Sequence, residues 1–358
     1  MPKDFRLKLS NGFEIAGQSY IHVPLSQMGA TGNGNSSTTK RLLLIHGNQD
    51  NCRSFHLLAP ALQDHYESKE EPCEIVAIDL PSHGRSDHKG STIVVVDYVY
   101  YIAEVVRELG WEGLPIAAVI GHSMGCMVCS AYAAAFPQHV QGLVFLEGTG
   151  PLHRHSAVDL PRQIHAHVTA RIKGPPPASA SYENMETMVQ IRQLTAKQAP
   201  GGNQYISPEA ARELVTWGTK ETEDGKFQWL FDPSLHYPHL MYLSLDQVVA
   251  ISQSITCPVC FLVAEDGWPI EDKAKYDAIV GALQPTVTKT LPGSHSFHSD
   301  PQHALGVITE VLRFLDTDHP VKIAKKPISG SSATTTRVQT LPTAPPSSTS
   351  TAGCCIIL

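Results

Sequence analysis

The chain has 358 residues, 42% of them hydrophobic and 17% charged, which is enough apolar surface for a large packed core and excludes a wholly disordered chain or a disulfide-stapled miniprotein. Twenty-seven Lys and Arg against 34 Asp and Glu give a net charge of −7, without the basic excess that binding a phosphate backbone needs, so nucleic acid is not an expected partner. The opening residues Met1-Pro2-Lys3-Asp4-Phe5-Arg6 lack the apolar stretch of a signal peptide, and no run reaches the roughly 18 apolar residues of a membrane-spanning helix. A cytoplasmic protein with reduced cysteines is expected.

Residues 5–9 and 14–23 flank Asn11-Gly12, a hairpin signal. Gly29 to Lys40 is small and polar and reads as a loop. Residues 41–45, 74–78, 116–120, 142–146, 259–263 and 287–291 are short apolar or β-branched runs, the pattern of strands buried on both faces of a parallel sheet. Between them, Val95, Tyr98, Val99, Ile102, Val105, Val106 and Leu109 form one helical stripe, and Ala304, Val307, Ile308, Val311, Leu312 and Leu315 another. The alternation predicts a doubly wound, eight-stranded, mostly parallel α/β sheet. Residues 151–245 interrupt it with Pro175-Pro176-Pro177, Gly201-Gly202 and short helical patterns. They are expected to form a helical cap inserted between two parts of one core, 1–150 and 246–317. Residues 318–358, rich in Ser, Thr, Pro and Ala, are expected to be a disordered tail.

Gly121-His122-Ser123-Met124-Gly125 follows one strand run and enters a small-residue helical stretch. In that context G-x-S-x-G is a nucleophile elbow, with glycines where side chains would collide with backbone. A serine hydroxyl needs an adjacent base, and the base an orienting carboxylate, in the chain order Ser, Asp or Glu, His. Asp266 closes the run 259–264 through Glu265 and is the expected acid; Glu265, and Glu147 after the preceding strand run, compete with it. His295 follows the last run and flexible Gly293 and is the expected base, with His298 the alternative. Backbone N–H groups of Met124 and of Asn48, in His46-Gly47-Asn48, are the expected oxyanion donors.

With these residues in place, residues 5 to 316 resemble the α/β-hydrolase superfamily. Three blocks resemble its serine hydrolase-like, capped esterase branch: His46-Gly47-Asn48-Gln49-Asp50-Asn51, Asp79-Leu80-Pro81-Ser82-His83-Gly84-Arg85-Ser86, and the segment 208–217. The resemblance implies a Ser-Asp-His triad under a helical cap. Ser82 stands where that pattern usually has Gly. Haloalkane dehalogenases and epoxide hydrolases share the resemblance but carry Asp at the elbow, so Ser123 argues against both chemistries.

Cys126-x-x-Cys129 and Cys257-x-x-Cys260 have metal-site spacing but begin a helix and a strand, and read as buried packing residues. His153, His155, His165 and His167 lack Cys or regular carboxylate partners, so no metal is expected there. Leu230, Phe231, Tyr237, Leu240, Met241 and Tyr242 read as the cap's own core or as pocket lining. Cys355-Ile356-Ile357-Leu358 matches a C-a-a-X box, with Cys354 available for a second acylation. A prenyltransferase is the implied partner, and a lipid-anchored protein at a cytoplasmic membrane face is expected. The whole reads as a serine hydrolase of a small carboxylic ester or thioester, needing no cofactor. The alternative is a ligand sensor that keeps the triad but turns over little.

Overall fold

The computed structural model describes residues 2–23, 38–91, 93–150, 160–174, 181–197, 204–237 and 243–322. Ten strands are present among them: β1 Lys3–Lys8, β2 Glu14–His22, β3 Lys40–Ile45, β4 Cys73–Ile78, β5 Ala118–His122, β6 Leu143–Leu146, β7 Thr219–Glu221, β8 Phe227–Trp229, β9 Val259–Asp266 and β10 Val287–Ser294. Eight make one sheet in the order β1-β2-β4-β3-β5-β6-β9-β10. The β1–β2 and β2–β4 pairs are antiparallel and the others parallel, which is the mostly parallel eight-stranded sheet expected from the runs.

Strand period sorts the core into two layers. Leu43, Ile45, Val119, Leu143, Phe145, Val259 and Phe261 face one side, under α2 (Val95–Glu108), α3 (Met124–Ala135) and α8 (Lys273–Leu283). Leu42, Leu44, Ala118, Ile120, Val144, Leu146 and Leu262 face the other, under α1 (Leu58–Ser68) and α9 (Ala304–Asp316). Both faces are covered, so the strands carry no polar alternation. Each fully buried Leu contributes about 1.5–3 kcal/mol. Cys126, Cys129, Cys257 and Cys260 are buried as free thiols in these layers, and burial pushes each thiol's pKa up.

Between β6 and β9 the described chain forms α4 (Leu160–Lys173), α5 (Met185–Lys197), α6 (Pro208–Gly218), the β7–β8 hairpin and α7 (Leu245–Ser254). Helix α6 begins where sequence chemistry starts a helix: Pro208 occupies its first turn and the Ser207 hydroxyl accepts from Ala210 N. The insertion has its own small core of Met188, Val189, Ile206, Ala210, Ala211, Leu214 and Val215. Among the expected cap-core residues, Tyr237 is buried and Leu230 and Phe231 are half-buried; Leu240, Met241 and Tyr242 lie outside the described residues. His167 is buried against Tyr237 and His165 is exposed, whereas His153 and His155 are not described.

Polar seams join insertion and sheet. Asn51 Nδ2 donates to Leu214 O at 2.9 Å, Arg53 pairs with Glu213, and the Arg85 guanidinium lies 3.8 Å over the Trp217 ring. Buried Asp79 accepts from Cys52 N, Arg85 N and Trp217 Nε1, each at 2.7 Å. Ser82 has φ 67°, which explains why glycine suits that position. Here the serine hydroxyl holds the turn by donating to Asp232 and accepting from Lys89 N. Of the tail expected from 318, residues 318–322 are described, and Lys322 N donates to Thr256 O and Lys322 Nζ to Leu283 O. Cys354 and Cys355, with the C-a-a-X reading, lie outside the described residues, and no described helix is long and apolar enough to cross a membrane.

Candidate active site

The parallel strands deliver their ends to one edge of the sheet, where open α/β folds build sites. Ser123 sits between β5 and α3 with φ 52° and ψ −116°, in the left-handed half of backbone space that a side chain rarely adopts. Its N–H donates to Leu146 O at 3.0 Å. A Cβ on Gly121 would come within 2.6 Å of the Gly125 backbone, and one on Gly125 would overlap Ile45 O. Both glycines are therefore steric requirements of the turn. The Ser123 hydroxyl makes no hydrogen bond among the described residues.

His295 follows β10 directly. The register shift between Leu291 and Ser294, at Gly293 with φ 120°, turns the chain so that this residue comes inward. Its Nδ1 lies 4.0 Å from Glu147 Oε1, and the Trp268 ring stands edge-on at 4.9 Å. Burial lowers the His295 pKa, with Glu147 opposing the shift and His122 adding to it. His298, the alternative base, faces elsewhere. It is fully buried, its Nε2 lies 2.7 Å from Ser54 Oγ, and its ring packs on Phe55.

The carboxylate facing His295 is Glu147 and not Asp266, the acid expected from sequence. Asp266 and Glu265 are both exposed, and among the described residues no hydrogen bond or ion pair reaches the Asp266 carboxylate. Glu147 directly follows β6, the strand beside β5, with φ 56°. Its Oε2 accepts from Ala264 N and its Oε1 from Trp268 N, both at 2.7 Å. The loop expected to supply the acid instead wraps around a carboxylate from the neighbouring strand. Gly267 makes room for it, since a Cβ there would overlap Glu147 Oε1.

Gly47 packs on the nucleophile, with a Cβ there falling 3.2 Å from Ser123 Cβ. Buried His46 ties this loop down. It donates from Nδ1 to Gly47 O at 2.6 Å and accepts from Leu80 N at Nε2, a pattern only the neutral ring can make; burial lowers its pKa to about 4. Asn48 is exposed one residue on. Met124 opens α3, where the first helical N–H groups lack intrahelical acceptors.

Two features of the site escaped the sequence reading. Buried Gln204, from the insertion, accepts from His295 N at 3.0 Å and donates to Gly267 O at 2.9 Å and Asp266 O at 3.2 Å. Buried Asp50, inside the block starting at His46, pairs with Arg192 of α5 at 2.6 Å and lies 3.6 Å from His122 Nδ1. A carboxylate within the block that follows β3 was the signal available for Asp50; Gln204 offered none. No cluster of three or more His, Cys, Asp or Glu suited to a metal occurs among the described residues.

Residues 40–277 match the family model for the alpha/beta hydrolase fold. A serine hydrolase-like protein of Danio rerio is 28% identical over 285 residues, 76% of this chain and 81% of the relative. The crystal structure of a hypothetical protein from Pseudomonas aeruginosa superposes with a TM-score of 0.71 at 26% identity, over 88% of this chain and all of the other. A thioesterase domain from the curacin biosynthetic pathway shares the fold, with a TM-score of 0.65 at 19% identity over 86% and 99% of the two chains. The chain belongs to the α/β-hydrolase fold family and is a hydrolase similar to the serine hydrolase-like proteins.

Proposed function

We propose that this chain hydrolyses a carboxylic ester or thioester through an acyl-enzyme, with Ser123 as nucleophile, His295 as base and Glu147 as the orienting acid. The observation that carries this reading is the left-handed Ser123 at the elbow, next to two strand ends that bring a buried carboxylate and imidazole face to face. With Nδ1 toward Glu147, His295 Nε2 is the nitrogen left to take the Ser123 proton as Oγ attacks the carbonyl carbon. The tetrahedral oxyanion is stabilised by the N–H groups of Met124 and Asn48. As the intermediate collapses, the C–O or C–S bond breaks and His295 returns its proton to the leaving oxygen or sulfur. Water, activated by the same imidazole, then releases the acid and restores Ser123. The helical insertion acts as a cap over this edge and sets substrate choice.

The test is fluorophosphonate labelling, followed by turnover on p-nitrophenyl esters and acyl thioesters of graded chain length. Wild type should label at Ser123 and turn over repeatedly, and Ser123→Ala should do neither. Labelling that survives in folded Ser123→Ala removes the nucleophile from this reading, and a stoichiometric burst without steady turnover replaces the enzyme with a sensor. A lipid on Cys355 would hold the hydrolase at a membrane surface. Cys355→Ser would then move it to the soluble fraction, and an unmodified cysteine in the native C-terminal peptide would remove that part of the proposal.

A further inference from the structure

Ser123 is preceded by a histidine whose surroundings are as closely built as those of the base. The His122 ring is 2% exposed and lies between the rings of His295 and His298, with centroids 4.8 and 4.0 Å away. Its Nε2 is 3.0 Å from His295 O. A carbonyl only accepts, so Nε2 carries a hydrogen and donates it. The opposite edge, Nδ1, faces Asp50 Oδ2 at 3.6 Å and has no hydrogen-bond partner.

Asp50 is itself buried, and its other oxygen is held by Arg192 from α5 at 2.6 Å. Burial alone would raise the Asp50 pKa, but the Arg192 guanidinium overcomes it and holds the carboxyl well below its usual range. The hydrogen bond on the Nε2 edge sets the plane of the ring, and the Asp50 carboxylate lies beyond its Nδ1 edge. A Cβ on Gly47 would press within 2.9 Å of His122 Nδ1, so the loop packed on the nucleophile also closes over this histidine.

We propose that His122 is a positioning residue for the base: packed against Asp50, which Arg192 of the insertion holds in place, it donates to the His295 carbonyl and holds that residue's backbone in register with Ser123 and Glu147. The inference rests on His295 being the base. Glu147 orients the His295 ring, whereas His122 anchors the main chain that carries it. Because β5 ends in His122, the anchor and the nucleophile are consecutive residues, and the distance between nucleophile and base is set through one peptide. Arg192 extends that control to the insertion, since a shift of α5 removes the guanidinium that clamps Asp50.

The experiment compares His122→Gln, His122→Leu, Arg192→Met and His295→Gln in the full chain. It uses steady-state hydrolysis of p-nitrophenyl butyrate and long-range 1H–15N spectra of the histidine rings. His122→Leu, which loses the donor, should lower kcat roughly 10–100-fold with KM little changed. His122→Gln, which keeps an N–H donor, should recover most of that loss. The wild-type spectrum should show His122 protonated at Nε2, and the His295 ring signals should broaden or split in the leucine variant only. Equal losses in His122→Leu and His122→Gln would reduce His122 to a packing residue and overturn the proposal. So would wild-type kcat in His122→Leu alongside an inactive His295→Gln. Wild-type turnover in His295→Gln instead overturns the base assignment, and the positioning role with it. If His122→Leu does not fold, Arg192→Met decides: an unchanged kcat there overturns the proposal, and a fall in kcat at constant KM supports it.

Discussion

Glu147 Oε1 and His295 Nδ1 lie 4.0 Å apart at the ends of two strands that are not neighbours in sequence, and the Glu147 oxygens are held by two backbone N–H groups, Ala264 within β9 and Trp268 in the loop after it. Two amide donors and a facing imidazole make a carboxylate suited to orienting a base. Glu147→Gln should lower kcat/KM roughly 10²–10⁴-fold, while Asp266→Asn should stay within roughly threefold of wild type because its side chain is solvated. Ester hydrolysis by both variants, with melting temperatures to confirm folding, measures the difference, and the reverse ranking would return the acid to Asp266.

Gly267 gives an independent approach to the same carboxylate without removing it. A methyl group there would overlap Glu147 Oε1 and must displace either the glutamate or the loop. Gly267→Ala should therefore lower kcat by roughly 10–100-fold through misplacement of the acid, with Ser123 still present and accessible. Unimpaired turnover by Gly267→Ala would show that the Glu147 position does not matter to the chemistry.

These two residues also mark what sequence could and could not disclose. Strands such as β3 and β6 were legible because residues buried on both faces leave continuous apolar runs. The elbow was legible because its constraints lie within the five residues from Gly121 to Gly125. The approach of Glu147 to His295 was not, since seeing that Glu147 and not Asp266 faces that ring needs the lateral order that places β6 between β5 and β9. Contacts such as Arg192 to Asp50 join positions 142 residues apart and leave no periodic trace. Ser82 was visible as a departure from glycine, but its partner Asp232 was not.

Buried histidines make stability depend on pH. Burial lowers the pKa of His46 to about 4 and of His83 to about 3, and holds His298 well below 6.5. The folded rings stay neutral while the unfolded chain takes up protons at the ordinary histidine pKa, so their contribution is complete above about pH 6.5 and is lost as pH falls toward 4 and then 3. Within that window each histidine should remove about 1.4 kcal/mol of stability per pH unit. Urea midpoints measured between pH 7 and 4 should fall steadily, and flat midpoints would contradict the neutral, proton-refusing state of these rings.

Gln204 links the insertion to both halves of the proposed catalytic pair. Its amide oxygen accepts from His295 N and its amide nitrogen donates to Gly267 O and Asp266 O, so one buried side chain spans the turn that carries the base and the loop that holds the acid. Gln204→Met keeps most of the volume but leaves the His295 N–H and two loop carbonyls without this partner. The loss should cost about 1–3 kcal/mol of stability and lower kcat roughly tenfold through slack between Glu147 and His295. Gln204→Glu keeps an acceptor for His295 N but turns carboxylate oxygen toward two carbonyls, so it should be at least as destabilised. Thermal melts and p-nitrophenyl ester kinetics on both variants check this: a Gln204→Met protein with wild-type kcat and a lowered melting temperature would make Gln204 a packing contact, and one with wild-type values of both would free the two loops from the insertion altogether.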